Sequence, residues 1–431
     1  MSSLLLLLFS ILTFSCIAQS AVPSSKQFKY VFYGGFDGSL QEEGEFYYDI
    51  RDVLTTSPFA LCHYTTQASL SDPVYVLALR LDTHLVWEVN RKNPVHLNST
   101  LTFGSDGNLV LADPKGNIVW ETATGNKDVV GLELFPNGNL VLLDKEGNLV
   151  WQSFDYPTDT LLVDQSLRAR GPRELVSRRG RYTLAMEAAS LDMHYKGDPY
   201  FSLETYNSFA GPLEEMRLTA GLTIYEPFLN DLSFNLTTSE KYNYVMEIAT
   251  PVYNTTFSFL RIEDNGNLKA YSFVENISTW NSWEQPFTLF TSNGSDSECH
   301  MPEKCGRFGI CQKSKCVACP SPSGLLPWSK KCSSPKLPLC SDGAAVTTNV
   351  RYYEIEGVDH FSSAYVYTGN DPITVDNCRE KCTSDCKCKG FFYTKDDSKC
   401  LITHQLNTLT KVSNSTHVAF IKIGRASVAS I

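Results

Sequence analysis

Three segments decide the fold: LVWEVN at 85–90, IVWETA at 118–123 and LVWQSF at 149–154. Their tryptophans, Trp87, Trp120 and Trp151, are separated by 33 and 31 residues. Between them lie LTFGSDGNLVLAD (101–113) and LELFPNGNLVLLD (132–144), which also stand 31 residues apart. Each unit alternates apolar and polar positions, turns at Asp-Gly-Asn or Asn-Gly-Asn, and alternates again, a strand period with no helical component. A unit of this length holds only three or four strands, too few to bury a face alone. Three units around a common axis bury their Val and Trp side chains together. The sequence therefore predicts a three-fold β-prism, with the tryptophans in its core.

Beyond this repeat the chain stays strand-like and aromatic to about residue 290, and RIEDNGNLKAYSF (261–273) is a weaker echo of the Asn-Gly-Asn-Leu hairpin. This stretch is expected to form a second, degenerate β-prism. The basic run LRARGPRELVSRRGR (167–181) between the two reads as a solvated linker. Cysteine is nearly absent before residue 299 and dense after it. The run CHMPEKCGRFGICQKSKCVACPSPSGLLPWSKKC (299–332) holds six cysteines amid Gly and Pro, too little apolar material for a core without disulfides. Zinc is the competing use of Cys316-x-x-Cys319, but no second pair and no placed histidines complete a site. A last segment, with CREKCTSDCKCKGFFYTKDDSKC at 378–400, has a short helix-plus-strand pattern.

The 431 residues carry 37 Lys plus Arg against 47 Asp plus Glu, a net charge of −10. That balance argues against a nucleic-acid partner, which requires a basic stripe. The opening MSSLLLLLFSILTFSCIAQS reads as a secretory signal cleaved after Ser20. No later stretch has the ~20 apolar residues of a membrane span. Six Asn-x-Ser/Thr sequons, at Asn98, Asn235, Asn254, Asn276, Asn293 and Asn414, are glycosylation candidates in a secreted chain. No metal site, cofactor fingerprint, nucleophile elbow or singled-out carboxylate pair is visible, so no cofactor is expected and the chain reads as a binding protein and not an enzyme.

LVWEVNRKNPV, LTFGSDGNLVLAD and LVWQSFDYPTDTLL together resemble the bulb-type lectin family, curculin-like and mannose-binding. The six-cysteine run resembles the epidermal-growth-factor-like part of S-locus glycoproteins, and the last segment is similar to a PAN/apple module. WQSFDYPTDTLLVDQSLRARG and YYEIEGVDHFSSAYV are similar to the epidermis-specific secreted glycoproteins of plants. The resemblance implies a mainly β chain: a β-prism II lectin domain, a second lectin-like prism, a growth-factor-like module and a small α+β PAN module. The expected boundaries are a signal at 1–20, an N-terminal segment at 21–44, the lectin domain at 45–164, the second β-domain at 165–295, the cysteine-rich module at 296–335 and the PAN module at 340–424. It also implies an extracellular, wall-associated protein that binds glycans or glycoproteins, or alternatively a protein that partners or inhibits receptors or secreted enzymes.

The family's mannose site is Gln-x-Asp-x-Asn-x-Val-x-Tyr on one strand, where alternate residues share a face. Here the first copy runs Gly104, Asp106, Asn108, Val110, Ala112, and the second Phe135, Asn137, Asn139, Val141, Leu143. Gln and Tyr are gone from both, and no third full copy is visible. Asp106, Asn108, Val110, Asn137, Asn139 and Val141 remain the sugar-binding candidates, yet the same Gly-Asn pairs are also good hairpin turns. Losing two to four hydrogen bonds at about 1 kcal/mol each abolishes weak monosaccharide binding, so simple mannose binding is not expected. Cys299, Cys305, Cys311, Cys316, Cys319 and Cys332 can form three bridges, and Cys340, Cys378, Cys382, Cys386, Cys388 and Cys400 three more. The resemblance implies Cys378–Cys400 and Cys382–Cys388. Cys62 is left over, as a buried thiol or an intermolecular bridge.

Overall fold

The computed structural model describes residues 21–34, 38–42, 45–66, 72–205, 211–222, 229–252, 257–275, 282–292, 296–337, 350–366 and 372–424. The expected signal (1–20), Cys340 and the sequons at Asn254, Asn276 and Asn293 lie outside the described residues. The chain divides into two compact units, meeting in sequence at Pro157 and Thr158.

The first unit is built from three antiparallel sheets. One orders Phe28–Val31, Thr100–Phe103, Leu109–Ala112 and Ile118–Glu121; the next Val129–Leu134, Leu140–Asp144 and Leu149–Gln152. The third runs Ser39–Glu42, Glu45–Thr56, Phe59–Thr66, Val74–Leu81 and His84–Glu88. Each predicted repeat thus supplies the last strand of one sheet. The three tryptophans meet at the centre, with ring centroids 6.2 Å (Trp87–Trp120), 6.2 Å (Trp87–Trp151) and 6.0 Å (Trp120–Trp151) apart. Two of the three contacts are edge-to-face, the geometry the aromatic quadrupole prefers. Trp87 Nε1 donates to Tyr156 O at 2.7 Å, so its polar edge is satisfied where the rest of the ring is buried.

Residues before 45 were expected to form a separate segment. They instead furnish strands: Phe28–Val31 pairs with Thr100–Phe103, covering an edge whose backbone groups would otherwise be unpaired. The turns follow the repeat. Asp113 Oδ1 accepts from the N–H groups of Lys115 (2.9 Å) and Asn117 (2.8 Å), and Asp144 does the same for Glu146 (2.9 Å) and Asn148 (2.8 Å). The side-chain amides of Asn117 (2.8 Å) and Asn148 (2.9 Å) donate to the other oxygens, and these bonds first, with the backbone ones, hold both carboxyls below the usual carboxylate range.

The second unit opens with another trio of antiparallel sheets, each four-stranded, over Thr160–Thr288. Its core includes Leu161, Leu184, Met193, Leu218, Phe234 and Leu260. The basic run at 167–181 is no linker. It contributes the edge strands Ser166–Arg168 and Glu174–Val176, and its arginines pair across them: Arg168 with Glu215 (3.1 Å), Arg173 with Glu187 (3.1 Å) and Arg179 with Asp264 (3.4 Å). The charges read as a solvated run because their partners lie far along the chain.

The cysteine-rich and PAN modules are fused at the backbone. Phe308–Gln312 runs parallel to Asn407–Lys411, in register Phe308↔Asn407 to Cys311↔Thr410, inside one five-stranded sheet. Disulfides join Cys299–Cys311, Cys305–Cys316, Cys319–Cys332, Cys378–Cys400 and Cys382–Cys388, and Cys386 is also disulfide-bonded. Cys316 and Cys319 are therefore each committed to a bridge and not to zinc. Helix α1, Val375–Ser384, starts at Thr374, whose hydroxyl accepts from Asn377 N at 3.2 Å. Its far end is closed by buried Lys422, whose Nζ donates to Cys382 O (2.8 Å) and Asp385 O (2.9 Å), a cation at the negative end of the helix dipole.

Two buried histidines make stability pH-dependent. His63 is fully enclosed by Phe32, Tyr75 and Tyr30, with centroids at 4.6, 5.3 and 5.7 Å. His360 accepts from Ser362 N (3.2 Å) at Nδ1 and donates from Nε2 to Gln405 O (2.9 Å), so it is neutral. Burial lowers both to about 4. Between about pH 6.5 and 4 the unfolded chain binds protons that the folded chain refuses, so stability must fall as pH falls through that window. The slope approaches ~1.4 kcal/mol per pH unit for each histidine. Urea midpoints measured from pH 7 to 4 check this, and an unchanged slope in His63→Phe would remove His63 from the account.

Candidate functional site

The strand face that carries the sugar motif is formed by the same turn in each repeat. Asp106 Oδ1 accepts from Asn108 N at 3.2 Å, and Asn137 Oδ1 from Asn139 N at 3.2 Å, a side-chain turn that sets the hairpin. Both asparagine side chains then reach to the neighbouring strand. Asn108 Nδ2 donates to Glu121 Oε2 (2.7 Å), while its Oδ1 accepts from Thr122 Oγ1 (3.0 Å) and Thr124 N (3.2 Å). Asn139 Nδ2 donates to Gln152 Oε1 (2.8 Å), and its Oδ1 accepts from Ser153 Oγ (3.3 Å) and Phe154 N (3.3 Å). Asn108 is 9% exposed and Asn139 5%, so both amides are built into the hairpin. Val141 is fully buried, Val110 half-buried and Asp106 exposed.

The third face carries the corresponding position in disguise. Val110 pairs with Glu121, Val141 with Gln152 and Ala78 with Glu88, which places Val76 where Asn108 and Asn139 stand. Asn90 replaces the lost stitch by accepting from Leu77 N at 2.8 Å. This face is covered by the chain's own Ser39–Thr56 hairpin: Leu40, Tyr47 and Ile50 pack with Cys62, Tyr64, Val76 and Leu85. Glu42 accepts from Leu85 N (3.3 Å), and Arg80 closes the edge by donating from Nε to Asp52 at 2.9 Å. Cys62 is a free thiol buried in this cluster, and burial pushes its pKa up, which answers the choice left open between buried thiol and intermolecular bridge.

A fourth copy sits in the second unit, where the sequence echo was legible but its register was not. Glu263, Asn265, Asn267, Lys269 and Tyr271 occupy the five alternate positions, and Tyr271 OH donates to Glu263 Oε1 at 2.8 Å. Asn267 again ties its hairpin to another segment, accepting from Phe290 N (3.0 Å) and donating to Phe290 O (2.8 Å) just past the strand Trp283–Thr288. The signal that could have exposed the pattern is the shared Gly-Asn with a side-chain turn before it. Among the described residues no group of His, Cys, Asp and Glu is arranged to hold a metal, and no helix is long and apolar enough to cross a membrane.

Three family models match: D-mannose binding lectin over residues 84–178, S-locus glycoprotein domain over 210–329 and PAN-like domain over 348–407. EP1-like glycoprotein 4 of Arabidopsis thaliana is 40% identical across 99% of this chain and 98% of its own length. The chain belongs to the EP1-like glycoprotein family. The epidermis-specific secreted glycoprotein EP1 of Daucus carota, 42% identical over 74% of this chain and 90% of its own, is a further relative. A G-type lectin S-receptor-like serine/threonine-protein kinase of Arabidopsis thaliana is 25% identical over 85% of this chain but only 44% of its own length. The EP1-like chain is thus a lectin-type glycoprotein whose kinase relatives are distant and match it over part of their length.

The sequons among the described residues are all exposed. Asn98 lies in a turn with φ 67°, Asn235 is mid-strand in Asn230–Thr238, and Asn414 is in a turn where its Nδ2 donates to Asp396 Oδ2 at 3.2 Å.

Proposed function

We propose that this chain is a secreted, non-enzymatic glycoprotein of the extracellular space and cell wall that binds glycans or glycoproteins, without the family's strand-mode mannose site. The observation that supports this reading most is the fate of Asn108 and Asn139. Each amide already makes three internal hydrogen bonds, so a sugar would have to break the hairpin's own contacts to use them. An unpaired buried polar group costs about 1–3 kcal/mol, comparable to the whole gain from a monosaccharide contact. Glycans are expected at Asn98, Asn235 and Asn414, whose side chains are accessible.

A glycan array probed with the secreted protein tests the proposal. The expected result is no monomannose signal above background, with Asn108→Ala losing about 1–3 kcal/mol of stability through its unpaired strand groups. A strong mannose signal that disappears in Asn108→Ala would reverse the proposal.

One observation favours protein binding as a second reading. Leu85, Ile118 and Leu149 are equivalent in the repeat, yet Leu85 is 1% exposed while Ile118 is 58% and Leu149 50%. The first is covered by the chain's own hairpin, so the other two offer the same apolar position uncovered. A partner recovered at fixed stoichiometry, and lost in Ile118→Lys with Leu149→Lys, supports this reading.

A further inference from the structure

The parallel pair that fuses the cysteine-rich and PAN modules ends at a crevice. Phe308–Gln312 and Asn407–Lys411 point the same way, and beyond Cys311 and Thr410 their chains separate. Here the gap has a volume of about 610 Å³, lined by Gln312, Lys313, Glu356, Lys411, Ser413 and Ser415. That volume lies within the range of small-ligand sites and admits a saccharide of about two or three units.

The lining has a definite chemistry. Its lining residues include two lysines and one glutamate, with two serines and a glutamine as further hydrogen-bonding groups. Lys411 Nζ spends one N–H on Glu356 O at 3.3 Å, leaving two. A tight turn places Lys313 at the rim of this gap. Gln312 pairs with Lys315, so Lys313 and Ser314 form a two-residue turn, and both have positive φ, 49° and 61°. Turns of this kind prefer Asn-Gly, because other residues enter the left-handed region at a cost.

We propose that this crevice binds an acidic saccharide, with Lys313 and Lys411 on its carboxylate and the Ser and Gln side chains on its hydroxyls. The chain's net charge of −10 opposes long-range attraction, so recognition is confined to the crevice and weakens with salt. The site is independent of the prism faces and of the proposal made for them.

The probe is a linear triuronic acid, titrated at low salt into the full secreted chain and compared with its neutral methyl ester. The acid is expected to bind, and the ester to bind at least tenfold more weakly. Lys313→Asn combined with Ser314→Gly supplies the preferred turn while removing the ammonium. That variant should therefore keep a Tm no lower than the parent's and bind the acid at least tenfold more weakly. Equal affinity for acid and ester, unchanged affinity in the double variant, or no binding of the acid at about 10 mM would each overturn the proposal.

Discussion

Replacing Gly138 with alanine is expected to remove about 2–5 kcal/mol of stability from the first unit. Gly138 has φ +86°, and a Cβ there would lie 2.6 Å from Phe59 Cε1 and 2.9 Å from Cδ1. Phe59 is 1% exposed, so its ring cannot swing away into solvent. Two effects add: about 1–2 kcal/mol for the left-handed backbone and about 1–3 kcal/mol for overpacking. Gly147 separates them. It has nearly the same φ, +84°, but nothing within 4 Å of the added atom. Gly147→Ala should therefore lose only the backbone share. Urea unfolding followed by tryptophan emission compares the two, and equal losses would show that the Phe59 contact is unimportant. The same close approach recurs at Gly107 against Val129 and at Gly266 against Tyr182, so the glycine before each bridging asparagine belongs to the packing of one sheet on another.

The second large effect is expected at Glu303, which ties the cysteine-rich module to the second prism. Its carboxylate accepts from Tyr182 OH (3.1 Å), Tyr195 OH (3.0 Å) and the guanidinium of Arg181. Burial, then the Glu303 charge, drives the Tyr182 hydroxyl well above its usual pKa, so it stays a donor. Glu303→Ala leaves two tyrosine hydroxyls and a guanidinium without this partner. Breaking a buried pair costs about 3–5 kcal/mol, reduced to roughly 2–3 here because the Glu303 side chain is 28% exposed. Calorimetry should show a lower Tm for the second unit, with Glu303→Gln recovering part of it because its amide oxygen still accepts. An alanine variant that melts with the parent would mean that Met301, packed in the same prism core, holds the modules together without the carboxylate.

The candidate site was legible only in part. Asp106, Asn108, Asn137 and Asn139 stood out because the spacing of a strand motif is local. Whether their amides faced a ligand or the next strand was not, since Glu121 and Gln152 lie 13 residues further on and their approach depends on hairpin register. The fourth copy at 263–271 was visible as a hairpin echo, but its alignment with the motif emerged from Asn267 bridging to Phe290.

By itself the sequence determined the periodic parts: the alternation, the Gly-Asn turns, the recurring tryptophans and the cysteine-dense end. These are set within about ten residues of chain, where backbone preference and side-chain alternation suffice. Tertiary structure alone decided which surfaces remain available. It brought the Ser39–Thr56 hairpin over Leu85 and Cys62, turned the basic run at 167–181 into two prism edges, and laid 308–312 beside 407–411. Each of those choices pairs segments whose partners satisfy buried backbone and apolar surface only after the chain has closed long loops, so no local pattern announces them.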